Sequence, residues 1–134
     1  MTKCGNSCTA CPYIMTENNV KVNETENWKI KSKVTCSTFN CVYMLHCEKC
    51  GKRYIGETGR MLSARFSDHR GYINNQVISV TTGDHFNLPG HSLANMKVII
   101  LEKVKNNDEM YRKERERYFI NKFNTYYEGI NREH

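Results

Sequence analysis

Seven cysteines, Cys4, Cys8, Cys11, Cys36, Cys41, Cys47 and Cys50, crowd the first 50 of 134 residues. Their number is odd and their density falls below the roughly 8–10% of a disulfide scaffold, so metal binding is the better reading of so many thiols. Cys4, Cys8 and Cys11 stand within eight residues, and Cys47-Glu-Lys-Cys50-Gly51 is a Cys-x-x-Cys turn closed by glycine. Such close pairs suit Zn²⁺, because a tight turn can aim two thiolates at one ion about 2.3 Å away. The other Cys/His cluster is His85-Phe-Asn-Leu-Pro-Gly-His91, in a stretch broken by Gly83, Pro89 and Gly90. One zinc site is therefore expected at Cys47, Cys50, His85 and His91. A second is expected at Cys4, Cys8, Cys11 and a fourth ligand, for which Cys36 is the nearest candidate and Cys41 the competitor. Four protein ligands leave no open position for water, so both ions would be structural.

A second chemical set is scattered farther along. On the last predicted helix Phe119, Ile120 and Phe123 define an apolar stripe, and Glu116 lies on the same face at i−3 and i−4. Two plain readings compete, a solvated Glu at the stripe's edge and a pair with Arg112 one turn back. Arg65 and His69 likewise share the apolar face set by Leu62, Phe66 and Ile73. An arginine, a histidine and a carboxylate on inward faces of a basic protein can handle a phosphate.

The elements that must position these groups follow from periodicity. Val42 to Leu45 reads as a strand, the Cys-x-x-Cys-Gly as a turn and Arg53 to Gly56 as a second strand, together a hairpin. A helix is expected from about Met61 to Asn74, a histidine loop over 75–95, a buried strand over Met96–Val104, and a last helix from an Asp108 cap to about Phe123. The order predicts an α+β fold with a small antiparallel sheet. Residues 1–36 read as a Cys-rich zinc-binding annex in which Asn18–Asn27 offers little to a core, and 37–134 as the main domain. Within the annex Trp28, Ile30 and Val34 alternate with Lys29, Lys31 and Lys33, so three lysines share an exposed strand face, fit either for phosphates or for protecting an edge. Twenty Lys and Arg against 14 Asp and Glu give a net charge of +6, which favours a polyanion such as DNA as partner. The N-terminus lacks an apolar signal core and the longest aliphatic run, Val98–Leu101, is far too short to span a bilayer, so an intracellular chain without a membrane role is expected.

Cys41-Val42-Tyr43, followed by Tyr54-Ile55-Gly56, resembles the two signature strands of the GIY-YIG nuclease superfamily. Arg65, His69, Glu116 and Asn131 follow in that family's order. More narrowly, Tyr54-Ile-Gly-Glu-Thr-Gly-Arg60, the Cys-x-x-Cys inside the hairpin, Asp84-His-Phe-Asn-Leu-Pro-Gly-His91 and Arg115-Glu116 resemble the endonuclease domain of Penelope-like retroelements. The resemblance implies a three-stranded antiparallel sheet flanked by helices, with a Cys-Cys-His-His zinc site inserted in it. It also implies metal-dependent hydrolysis of DNA phosphodiesters, with Glu116 holding Mg²⁺ or Mn²⁺ and Arg65, or Arg60 as the competing arginine, on the scissile phosphate. Tyr43 or Tyr54 would position or deprotonate water, His69 would accept the proton, and Asn131 would orient metal or phosphate. Lys29, Lys31, Lys33, Arg60 and Arg65 would contact nucleic acid. The implied setting is the nucleus, nicking target DNA beside a reverse transcriptase and its RNA. A homing or repair nuclease and a non-catalytic zinc-stabilised nucleic-acid-binding module are the alternatives.

Overall fold

The computed structural model describes residues 1–5 and 8–132. The segment expected to contribute little opens with a short antiparallel hairpin, β1 (Asn19–Lys21) and β2 (Asn27–Lys29). It buries Val20 and Val22 as well as Ile30 and Val34, because even a polar stretch can seat its few β-branched residues once its turn residues face water. Regular pairing stops at Lys29. Lys29, Lys31 and Lys33 are all exposed, but Lys31 and Lys33 lie on irregular chain and not on the predicted strand.

The central sheet has the order β4-β3-β5, all antiparallel, built from β3 (Phe39–Cys47), β4 (Arg53–Met61) and β5 (Met96–Lys103). β4 outruns the expected Arg53–Gly56 because β3 pairs with it from His46↔Arg53 to Phe39↔Met61, so ladder bonds carry polar residues that periodicity alone would leave in a loop. Helix α1 (Leu62–Asn74) follows β4 directly, and the backbone N–H groups of Leu62 and Ser63 donate to Thr38 and Cys36 carbonyls at 2.8 and 2.9 Å. The histidine loop is partly helical, with α2 at Thr81–His85 and a single 3₁₀ turn at Leu93–Asn95. Helix α3 (Glu109–Phe123) starts at Asp108, whose carboxylate accepts from Tyr111 N at 3.2 Å, and stops at Asn124 in the left-handed region (φ 53°) before α4 (Thr125–Glu128).

Strand alternation assigns each helix a face. The cross-strand row Ile100–Tyr43–Gly56 meets α1 through His69, whereas the row Glu102–Val42–Glu57 meets α3 through Arg115 and Arg112. The helices thus cover opposite faces and β4 is the sheet edge between them, its backbone at Arg53 and Ile55 held by Ile130 and Asn131. On the other edge the N-terminal segment lies along β5: Met15 N donates to Val98 O at 2.8 Å and Trp28 Nε1 to Leu101 O at 2.8 Å. Its buried residues belong to the same apolar cluster as Ile99, Ile100 and Leu101. Among the described residues no helix is long and apolar enough to cross a membrane.

Candidate active site

Tyr43 sits mid-strand in β3, 1% exposed, with its ring over Gly56 of the neighbouring strand. A Cβ at position 56 would lie 2.5 Å from Tyr43 Cζ and Oη, so only glycine lets the phenol lie flat across β4 toward α1. There Tyr43 Oη is 2.7 Å from His69 Nε2 and accepts a hydrogen bond from Arg65 Nε at 3.2 Å. Arginine can only donate, so the phenolic proton is the one left for His69 Nε2. His69 Nδ1–H then points to Thr82 Oγ1, 2.9 Å away. Burial first, then the Arg65 charge, holds His69 down to about 3, so the ring is neutral, as this chain of bonds requires. We expect the ring nitrogens of His69 to report the neutral Nδ1–H tautomer from about pH 5.5 to 8, where a free histidine would titrate. Nitrogen-15 NMR reads this directly, and an inflection near pH 6.5 would rule the arrangement out.

The catalytic candidates meet at the edge of β4, in a cleft of about 770 Å³. Tyr54 and Arg65 enter it from the α1 face, Glu57 and Glu116 from the α3 face. Glu116 does not pair with Arg112, which is buried and spent on Glu57 (2.8 Å), Asn40 (2.8 Å) and Asn107 (2.9 Å). Glu116 forms no salt bridge among the described residues. Burial and then the Glu57 carboxylate push its own carboxyl up to about 7, with Lys113 and Arg65 opposing. Glu57 is already held by Arg112, so Glu116, half-buried and without a salt bridge among the described residues, is the carboxylate left for a hard divalent cation, and its oxygens suit Mg²⁺ or Mn²⁺.

The other candidates fall in different places. Arg65 lines the cleft and donates to Tyr43 Oη, whereas Arg60 is exposed outside it; both reach Asp68, Arg65 through Nη1 at 3.3 Å. Tyr54 lines the cleft and Tyr43 does not. For both phenols burial is the largest influence and pushes them above the ordinary value, with Arg65 pulling the other way. Asn131 is buried: its Oδ1 accepts from Ile55 N at 2.8 Å and Thr125 Oγ1 at 2.6 Å, and its Nδ2 donates to Ile55 O at 2.9 Å. Its amide therefore clamps β4 between Tyr54 and Gly56 and does not line the cleft. Lys29, Lys31 and Lys33 are not among this cleft's lining residues. Sequence reasoning missed Glu57, Thr82 and Tyr72, whose ring meets His69 edge-on at 5.9 Å.

Both cysteine groups assemble. Cys4, Cys8, Cys11 and Cys36 place four sulfurs together with Sγ separations of 3.4 to 3.6 Å. A disulfide needs about 2.05 Å, whereas a tetrahedron with 2.3 Å metal–sulfur bonds has edges of about 3.8 Å, so the spacing is that of thiolates around one ion. Cys36 supplies the fourth sulfur. Cys41 lies elsewhere, fully buried, its thiol pushed up to about 12 by burial and then Glu57. The second group brings Cys47, Cys50, His85 and His91 within 4.8 Å of one another. Here His91 Nε2 is buried without a hydrogen-bond partner, while its Nδ1 lies 3.3 Å from Pro89 O, an arrangement that turns an unprotonated nitrogen toward the cluster. Burial, then His91 and Lys52, holds His85 down to about 4, in the neutral form that ligates. Both donor sets fit Zn²⁺, and elemental analysis of purified protein should find two zinc per chain; one or none would remove a site.

The clusters also brace the catalytic set. Cys36 O accepts the Ser63 N–H in the first turn of α1, the helix that carries Arg65 and His69, and His85 ends α2, whose Thr82 holds His69.

An α+β sheet with an arginine, two tyrosines, a histidine and a carboxylate about one strand edge defines a phosphoryl-transfer class of site. Residues 39–131 match the model of the GIY-YIG catalytic domain, and the chain belongs to the GIY-YIG family, whose catalytic domain is that of a divalent-metal-dependent endonuclease. Among solved structures the chain is similar to the catalytic domain of the homing endonuclease I-TevI, at 20% identity and a TM-score of 0.54, covering 71% of this chain and 99% of that one; at such identity the likeness is one of fold. No curated protein sequence matches this chain.

Proposed function

We propose that this chain hydrolyses a phosphodiester bond of DNA and that the nick serves the insertion of a retroelement of the Penelope-like type. The observation that carries the chemistry is the bonded series Arg65–Tyr43–His69–Thr82 standing across the β4 edge from Glu116. The barrier arises from negative charge gathering on a phosphate that is already anionic, so preplaced positive charge is the main requirement. Arg65, always protonated, offers its guanidinium nitrogens to a non-bridging oxygen, and Tyr43 Oη fixes the guanidinium through Nε. Tyr54, the tyrosine with access to the cleft, touches the attacking water. Tyr43 and His69 are positioning residues, since burial keeps the phenol protonated and the imidazole neutral. Glu116 would hold the Mg²⁺ or Mn²⁺, which when bound neutralises phosphate charge and acts with Arg65 in favouring ionisation at the cleft. Asn131 keeps β4, and so Tyr54, in register. The two zinc ions hold the annex and α2 to the core and take no part in the reaction.

Support for the retroelement setting is the position of the Cys47/Cys50 pair between the signature strands, joined to His85 and His91. In that setting the domain works in the nucleus, with a reverse transcriptase and its RNA, and residues 1–36 and 37–134 act as annex and nuclease, the last two residues lying outside the described ones. A nick that primes DNA synthesis has to leave a 3′ hydroxyl. With supercoiled plasmid and Mg²⁺ or Mn²⁺, we expect nicked circles before linear product, at ends that a polymerase extends. Binding without cleavage would instead identify a zinc-stabilised binding module, and cleavage giving only linear product would favour a homing or repair enzyme.

A further inference from the structure

The catalytic cleft occupies one flank of α3. On the opposite flank a second cleft of about 750 Å³ runs between α3, β5 and the chain around residue 28, its walls including Trp28, Lys31, Lys103, Lys105 and Tyr111. A shallower recess of about 430 Å³ continues from it past Phe39, sharing Lys103 and Lys105. Neither shares a lining residue with the catalytic cleft. Together they form one groove whose lining includes three lysines and the rings of Trp28, Tyr111 and Phe39.

Its charge is neutralised from within only in part. Among the described residues Lys31, Lys103 and Lys105 form no salt bridge. Of the two acids in the lining, Glu102 holds Arg115 at 2.6 Å, and Asp108, which caps α3, keeps its negative charge against the three lysines. The rings are exposed where packing would have covered them, Phe39 by 53% and Tyr111 by 43%. We propose that this groove binds a single strand of nucleic acid, DNA or RNA, separately from the catalytic cleft, an inference that rests on the nucleic-acid reading of the protein. Lysines spaced along a groove match the phosphates of a strand, and exposed aromatic faces stack only on bases that are unpaired. A duplex buries those base faces within its own stack. An acidic peptide would satisfy the lysines and leave Phe39 and Tyr111 without a partner.

Trp28 is the only tryptophan in the chain and lines the groove, so its fluorescence reports occupancy there. The full chain, without added Mg²⁺ or Mn²⁺, is titrated with an oligothymidylate, an oligouridylate and a hairpin duplex. Quenching by the single strands and not by the duplex is expected, and the DNA and RNA arms show whether the sugar is distinguished. Changing the exposed pair Lys103→Ala and Lys105→Ala together should weaken strand binding about tenfold or more at low salt. It should also make the slope of log affinity against log salt shallower by about 1.4, at about 0.7 for each phosphate no longer neutralised. Tyr111→Ala should weaken it about fivefold or more with the slope unchanged. Arg65→Ala, which removes a phosphate contact of the catalytic cleft, should leave the quenching of Trp28 by the single strands as it was.

Quenching that survives the lysine changes, or that disappears with Arg65→Ala, would place the strand in the catalytic cleft and overturn the proposal. Equal quenching by duplex would overturn its single-strand character, and displacement by polyglutamate at equal charge would mark a surface for acidic proteins. Plasmid nicking is scored separately: quenching without nicking sinks the nuclease reading and leaves the groove standing, while nicking without quenching does the reverse.

Discussion

Glu116→Ala should reduce plasmid nicking by about 10³-fold or more while DNA affinity stays the same or rises. The first effect follows from removing the carboxylate that fits the divalent cation, whose charge stabilisation is worth several kcal/mol in such reactions. The second follows from the sign of the charge removed. Glu116 faces Glu57 and has no salt bridge among the described residues, so its loss takes an anion out of a cleft that must receive phosphates. Folding should not suffer, because the carboxyl is pushed up to about 7 and its ionised form costs stability in the folded state. The sign runs against the usual carboxylate: this group disfavours folding increasingly as pH rises from its ordinary value through 7, and the substitution removes that slope. Arg65→Ala should abolish nicking as well, but with weaker DNA binding, since it removes both a cation for the phosphate and the donor to Tyr43 Oη. Measuring nicking and binding on both variants separates the roles. Nicking by Glu116→Ala within a few-fold of the parent would end the assignment, because a Glu on a solvated helix face is worth only about 0.5 kcal/mol.

Cys36→Ser should release one zinc and loosen the catalytic helix, whereas Cys41→Ser should keep both ions. Structural zinc contributes folding free energy of order 10 kcal/mol in small zinc peptides, comparable to the whole stability of a domain of this size. What is at stake is the segment lying along β5 through the Ile14–Val98 bridge, Met15 and Trp28, and the start of α1, whose Ser63 N–H donates to Cys36 O at 2.9 Å. Hydrogen exchange should therefore quicken at residues 8–36 and in the first turn of α1, and nicking should fall with it. A Cys36→Ser protein that retains two zinc and the parent melting temperature would return the fourth ligand to Cys41 or remove the ion.

Much of this molecule is written locally. Asp108 as a cap, the apolar stripes of α1 and α3 and the Cys-x-x-Cys turn depend on residues within a few positions of one another, so periodicity and spacing locate them. Both metal clusters were legible for the same reason, since each is built on pairs that a single turn or short loop aims together. The length of β4, the helical turn at Thr81–His85 and the burial of Val20 and Val22 were not, because each depends on partners from distant chain.

The sequence by itself determined which groups are present: a carboxylate on the inner side of α3, an arginine and a histidine one turn apart on α1, tyrosines on paired strands, and a glycine opposite one of them. Only the tertiary structure decided which of these share a space. Tyr54 and Glu57 stand on opposite faces of a strand and on an interior strand would never meet, but β4 is an edge, so side chains from both faces reach the same cleft. The same topology buried Tyr43 and set Tyr54 in the cleft, put Arg65 and not Arg60 in its lining, and bonded Asn131 to the backbone of Ile55. Strand order depends on non-local pairing, and no local pattern encodes which strand of a small sheet will lie at its edge.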